Sequence, residues 1–364
     1  MVTKSGADGR SQAHAEPNFS LSLFEQLNDE YRDRRLVTRP PRRDTDGRMD
    51  AARRRLVGLG RDVELEGRRV LEIGAAHGHL ASLLVLEGGA ASAVGVDIVE
   101  SDEWERFQGP GVSFVKADLA REDVFEPGLV DLVVSNAVLE HVDRPLAMLA
   151  AIWRLLADGG EAWLIFNLYR GPKASHRYRE IFFPWPHLLF EDSVVEEYYR
   201  EHHGRSGSFA WVNKLTAAEY LTAFGELGFE IAGHRLTKTP IDLRFYARFE
   251  EKLGRYPALD LEMDFLWLKL RKSGSQAAPV PDLGYTDRQI ELYRQLDALR
   301  AGLPVPPPAE RQRPQAGRGG GAEKALADLR RQHELLLNAR AVRAARAVRS
   351  AQARLSALLS RSQG

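Results

Sequence analysis

The stretch RVLEIGAAHGHLASLL, residues 69–84, decides the fold. Its opening RVLEI has the length and apolar density of a buried strand, and its closing HLASLL reads as the start of a buried helix. Gly74 and Gly78 stand at the junction, with Glu72 just ahead of them. A strand that passes into a helix through such a turn lets backbone amides and a helix N-terminus approach a polar ligand closely. Glycines also serve tight packing, so the turn gains its meaning from the segments around it.

Towards the C-terminus, the apolar runs AVGVDI, VSFVKADL, VDLVVSNA and AWLIFNL alternate with helical patterns. That alternation implies βαβ units and a parallel sheet. The helix from about Pro145 to Leu156 is expected to stop at ADGG, where glycine supplies a left-handed cap. Thr216 reads as the N-cap of the helix AAEYLTAFGEL, with Glu219 three residues on and Gly228 behind it. FEIAGHRL and EMDFLWLKLRK then read as two closing strands, so the sheet ends near Lys272. The expected class is α/β: a doubly wound, mostly parallel, Rossmann-like sheet of seven strands, with N-terminal helices and a C-terminal helical or coiled-coil tail.

The flanks differ in character. Residues 1–20 are polar and carry no continuous apolar stretch, so they read as a disordered lead-in and not as a secretory signal. Amphipathic stretches around Leu21–Tyr31 and Met49–Leu59, separated by TRPPRRDTDG, are expected helices leading into a domain over 21–272. Residues 170–215 form an insertion on the substrate side, longer than an ordinary connection. Residues 273–322 read as a linker with one short helix, its capping box pairing Thr286 with Gln289. Within 323–364, Leu337, Ala341, Ala344, Val348, Ala351, Leu355 and Leu358 alternate at four and three, which predicts a basic coiled-coil helix for self-association or partner docking.

Composition narrows the function. The chain has 364 residues, zero formal charge, 44% hydrophobic and 28% charged residues, enough for one sizeable core. Neutral net charge, and no basic block within the domain, argue against nucleic acid. Without cysteine there are no disulfides, thiolate zinc sites or cysteine nucleophiles. No segment approaches the roughly 18 apolar residues of a membrane span, so a cytoplasmic, soluble protein is expected.

Three strand ends carry acids. AVGVDI ends in Asp97, about 25 residues after Glu72, where a carboxylate accepts both hydrogen bonds of a ribose diol. KADL places Asp118 and Leu119 where an adenine amine and ring face would meet them, and VDLVVSNA ends with Ser135 and Asn136 at the sheet's carboxyl edge, where ligands of open α/β sheets bind. The blocks VLEIGAAHGHL, VGVDI, KADL, SNAVLEHVDRPLAMLAAIWRLLADGG and LTAAEYLTAFGELGFEI, in this order, resemble the class I S-adenosylmethionine-dependent methyltransferases, in the subgroup of the ubiquinone and menaquinone biosynthetic enzymes. The resemblance spans roughly Leu56 to Lys272. It implies S-adenosylmethionine as cofactor, with Glu72 orienting the methionine portion and Gly74, Ala75, His77 and Gly78 lining the turn. It further implies Asp97 and Ile98 at the ribose, Asp118 and Leu119 at the adenine, and the Asn136 backbone at the methionine amino group. The family has a glycine where this sequence has Ala76. Nicotinamide enzymes fit less well, because the GxGxxG spacing is absent.

Methyl transfer from a sulfonium is an in-line displacement, so much of its rate comes from positioning, and an oxygen acceptor also needs a base. His141, just beyond the fourth strand, and His187 in the insertion are the expected catalytic histidines. For His141 the competing reading is a helix-start histidine that merely packs. His176, Arg177, Tyr178 and Trp185 are the expected acceptor contacts, since aromatic and cationic side chains together suit a polar acceptor. FFPWPHLLF also reads as a hydrophobic plug onto the sheet. His202 and His203 are adjacent with no third ligand in sequence, so no metal site is expected. The resulting expectation is O-methylation of a small-molecule or glycan acceptor, and the alternative is a non-catalytic adaptor docking through the basic tail.

Overall fold

In the computed structural model, residues 19–37, 42, 44–274 and 281–306 are described, and the expected disordered lead-in to residue 18 and coiled-coil tail from 323 lie outside them. The seven strands are β1 Arg69–Ile73, β2 Ser92–Asp97, β3 Val112–Lys116, β4 Val130–Asn136, β5 Leu156–Asn167, β6 Phe229–Lys238 and β7 Met263–Lys272. They form one sheet in the order β3-β2-β1-β4-β5-β7-β6. β1 pairs in parallel with β2 and β4, while β7 runs antiparallel between β5 and β6. The chain order reverses between β1 and β4, and that crevice is where open sheets of this kind take ligands.

The helices are α1 Leu21–Glu30, α2 Thr45–Leu59, α3 His79–Leu86, α4 Trp104–Phe107, α5 Pro145–Leu155, α6 Pro186–Leu189, α7 Asp192–His203, α8 Ala217–Glu226, α9 Leu243–Arg248, α10 Glu250–Leu253, α11 Ala258–Glu262 and α12 Tyr285–Arg300. Alternation along each strand sends side chains to opposite faces. Val70 and Leu132 pack with Leu56, Leu59, Leu80 and Leu84 of α2 and α3. Leu71, Ile73 and Val133 pack on the other face with Leu149, Ile152, Leu221 and Phe224 of α5 and α8. Both faces are therefore covered, which is why the strands read as continuous apolar runs.

A third core lies apart from the sheet faces. Phe24 and Leu27 of α1, Phe183, Trp185 and Tyr199 of the insertion, Phe245 and Phe249, and Leu292 and Leu296 of α12 are buried together. FFPWPHLLF is thus a hydrophobic plug, and the helix read as part of a linker is packed into the protein.

Two local expectations are corrected. α5 passes directly into β5: its C-cap, Leu156, is already extended, and the left-handed Gly159 lies within β5, where pairing with β4 jumps from Leu156 to Glu161. The capping box at Thr286 is absent because the N-cap is left-handed Gly284, two residues earlier, and the Gln289 side chain instead accepts from the Ala258 amide. At Thr216 the capping box forms as expected, with Thr216 and Glu219 exchanging bonds to each other's amides.

Candidate active site

The turn leaving β1 is shaped by backbone conformation. Gly74, Ala76 and Gly78 all have positive φ, at 83°, 47° and 84°. A Cβ on Gly74 would lie 2.1 Å from Val138 Cγ2, so that position requires glycine twice over. Ala76 holds the left-handed conformation without glycine's freedom. It is fixed by its own amide, which donates to Asp97 Oδ2 at 2.9 Å, and by its carbonyl, which accepts from Trp104 Nε1 at 2.8 Å. Trp104 in turn stacks on Phe114 of β3.

Asp97 ends β2 and faces this turn. Its other oxygen accepts from the Val99 amide at 3.1 Å, so the carboxylate is oriented by two backbone donors. Beside it Ile98 and Val99 are 64% and 66% exposed, an apolar pair left open at the edge of the sheet. His77 lies over the same turn, next to Ser101 and Glu103, and Arg48 of α2 pairs with Glu103 at 2.7 Å. α2 is thereby tied across the turn.

Glu72 is buried, with Oε2 lacking a hydrogen-bond partner. Burial pushes its carboxyl up to about 8, opposed by Arg55 and by the Ala81 amide of α3. At the end of β3, Asp118 accepts from the Ala120 amide and pairs with Arg121 at 2.6 Å, and Arg121 also reaches Asp143 beyond β4. Leu119 is buried beside it. Asn136 ends β4, and Ala137, which follows it, has φ 58° and donates to the Ile165 carbonyl.

Past β4, a short 3-10 turn, Leu139–His141, sets two side chains at the same edge. Glu140 is 1% exposed, neither carboxylate oxygen has a hydrogen-bond partner of normal geometry, and burial raises its pKa against the opposing pull of the Glu140 and Asn167 amides and of His141. His141 is exposed, and its Nδ1 donates to the Trp211 carbonyl at 2.8 Å, which leaves Nε2 with a lone pair. His176 lies edge-to-face with it, ring centroids 4.9 Å apart. Asn167 Nδ2 donates to the Asp264 carbonyl, so Asn167 Oδ1 faces His176 Nε2 at 3.2 Å and accepts from it. Burial pushes the His176 imidazole down to about 4.

The expected acceptor residues separate in space. Trp185 is 1% exposed, its Nε1 donating to the Leu261 carbonyl, so it presents no face to an acceptor, whereas Trp211, whose carbonyl meets His141, is 57% exposed. His187 donates through Nε2 to the Tyr169 carbonyl at 2.6 Å, and burial pushes it down to about 4. Arg177 donates to the Ser208 carbonyl and lies over the Tyr199 ring, and Tyr178 is partly exposed. Glu140, Asn167, Arg48 and Glu103 were not singled out from sequence. Only Glu140, adjoining His141 after the fourth strand, carried a local signal. Likewise His202 finds Glu25 at 2.6 Å and Glu201 nearby, a grouping that adjacent-residue spacing cannot reveal.

The profile of a family described as methyltransferase domain matches residues 41–232, more than half of the chain. An uncharacterized methyltransferase of Mycobacterium marinum is 34% identical over 123 residues, which cover 32% of this chain and 46% of that protein. A ubiquinone biosynthesis O-methyltransferase of Pseudomonas savastanoi is 30% identical over 118 residues, covering 31% and 49%. The chain spans about half the length of the curated relatives it matches. Among solved structures, an S-adenosylmethionine dependent methyltransferase from Mesorhizobium loti is 22% identical with a TM-score of 0.40, covering 61% of this chain and 96% of that one.

Proposed function

The chain belongs to the methyltransferase-domain family, and on that premise we propose that it methylates a hydroxyl of a small-molecule or glycan acceptor using S-adenosylmethionine. When bound, the cofactor supplies an electrophilic methyl on a sulfonium. The observation that carries this reading is Asp97. Two backbone amides orient its carboxylate at the sheet's carboxyl edge, beside the left-handed turn and the open apolar pair Ile98 and Val99. A carboxylate so held keeps lone pairs for a ribose diol.

In this reading the turn at Gly74–Gly78 and the Asn136 backbone take the methionine end, and buried Glu72, with its free Oε2, orients it. Asp118 and Leu119 take the adenine. On the acceptor side exposed Trp211 offers a flat face to a ring, and His141 Nε2 receives the hydroxyl proton as the acceptor is aligned. His187, saturated at Nε2 and buried at Nδ1, orients Tyr169 and the insertion. No helix among the described residues is long and apolar enough to cross a membrane.

The test is calorimetric titration of S-adenosylmethionine and its demethylated product into the full chain and into Asp97→Ala. Micromolar binding that weakens at least about tenfold in the variant supports the reading, since hydrogen bonds to a charged group contribute about 1.5–3 kcal/mol. No binding to the unaltered chain at high micromolar concentration overturns it in favour of the adaptor.

A further inference from the structure

The geometry points to a divalent transition-metal site formed by Glu140, His141 and His176, at the acceptor edge of the sheet. Each residue offers one ligand atom, and these atoms lie within 4.8 Å of one another. Around an ion with ligands at about 2.1 Å they would lie some 3–4 Å apart, so the set needs to contract only slightly around an ion. Two imidazoles and one carboxylate suit Zn2+, Mn2+ or Fe2+ and leave coordination positions open.

Three observations carry the assignment beyond proximity. First, Glu140 is 1% exposed and both of its carboxylate oxygens lack partners of normal geometry, an arrangement that is unfavourable unless something binds them. Second, each histidine already has one ring nitrogen engaged by an oxygen acceptor. His141 gives its Nδ1 proton to the Trp211 carbonyl and His176 its Nε2 proton to Asn167 Oδ1, so each keeps its other ring nitrogen unprotonated and able to ligate. This outer ring of oxygen acceptors is the arrangement that fixes tautomer and orientation in metal-binding histidines. Third, His176 holds φ 54°, strain of the kind that persists where the surroundings over-determine a position. Asn167, held by the Asp264 carbonyl, supplies that restraint.

This site rests on the proposed methylation only for its role. There a bound ion would hold the acceptor hydroxyl oxygen and make it more acidic, its proton passing to solvent; His141 would then be a ligand, and its role as base belongs to the metal-free protein. The acceptors favoured are those with two adjacent oxygens, which fill two open positions.

The experiment is titration of Zn2+ by calorimetry and of Co2+ by visible absorption into the metal-stripped full chain, without cofactor or acceptor. One equivalent of micromolar binding is expected, weakened at least about tenfold in both Glu140→Gln and His176→Ala, as loss of a ligand requires, and unchanged in His202→Ala. Binding weaker than millimolar, or binding that survives His176→Ala and is lost in His202→Ala, overturns the site. His176→Ala keeps the test valid if Glu140→Gln fails to fold. Because no cofactor is present, failure here leaves the calorimetric result for S-adenosylmethionine standing, and failure of that titration leaves this one standing.

Discussion

The amide of Ala76 donates to Asp97 Oδ2 at 2.9 Å, so the carboxylate that ends β2 also holds the turn that leaves β1. Asp97→Asn keeps the shape but removes the charge and half of the acceptor capacity. Stability should fall by about 1 kcal/mol and S-adenosylmethionine affinity by tenfold or more. Thermal unfolding and calorimetry on the same preparation separate the two losses, and a variant that loses stability alone would remove Asp97 from the cofactor.

Ala76→Gly should stabilise the protein. A left-handed conformation costs an L-residue roughly 1–2 kcal/mol, from which glycine's extra unfolded-state freedom must be subtracted. A net gain of about 1 kcal/mol, or a melting temperature about 2–4 °C higher, is expected. A lower melting temperature would mean that contacts of the alanine methyl outweigh the strain.

Gly74→Ala should be among the most damaging single changes in the domain, because a Cβ there meets Val138 Cγ2 at 2.1 Å while φ stays at 83°. A loss of about 2–4 kcal/mol is expected from overpacking and strain together. Adding Val138→Ala should recover the steric part only, which a double-mutant cycle by denaturant unfolding will resolve.

Glu72 and His187 should give stability a pH profile with opposite slopes. Glu72 is pushed up to about 8 from an ordinary value near 4.5, so the folded state keeps a proton that the unfolded state releases. Its contribution is complete below about 4.5 and is lost as pH rises towards 8. His187 is pushed down to about 4 from 6.5, so its contribution is present above about 6.5 and is lost as pH falls through 4. Glu72→Gln should flatten the alkaline limb and His187→Gln the acid limb, and urea unfolding between pH 4 and 9 checks both.

Leu292→Ala should cost about 2–5 kcal/mol, as expected for a fully buried leucine. Denaturant unfolding that showed a change below about 0.5 kcal/mol would return α12 to the status of a linker helix.

The part of the candidate site at the ends of β1 to β4 was legible as a cluster because its residues lie on successive strand ends, where local pattern and spacing coincide. Glu72, Gly74, Asp97 and Asp118 are each found from a strand's last residues, and the sheet itself follows from alternating runs. The surroundings of His141 and the insertion were not legible in this way. Trp185 and Trp211 lie in one insertion with equivalent sequence signals, and only long-range packing buries one and exposes the other. Asn167 matters to His176 through the Asp264 carbonyl of a distant strand, a relation no spacing encodes. Thr286 and Gln289 had the letters of a capping box, but Gln289 bonds Ala258, so tertiary contact displaced local chemistry. Gly159 likewise looked like a helix stop and serves a bulge.

Phe24 and Leu292 belong to one core although the whole sheet lies between them in sequence. During synthesis α1 emerges before the sheet and has no complete partner surface until α12 leaves the ribosome, whereas β1 to β4 have all their sheet neighbours once β5 is made. A nascent chain halted after β7 therefore has every strand of the sheet but not the finished floor of the insertion. The sheet is built first, and the insertion packed between α1 and α12 is the last part to acquire shape.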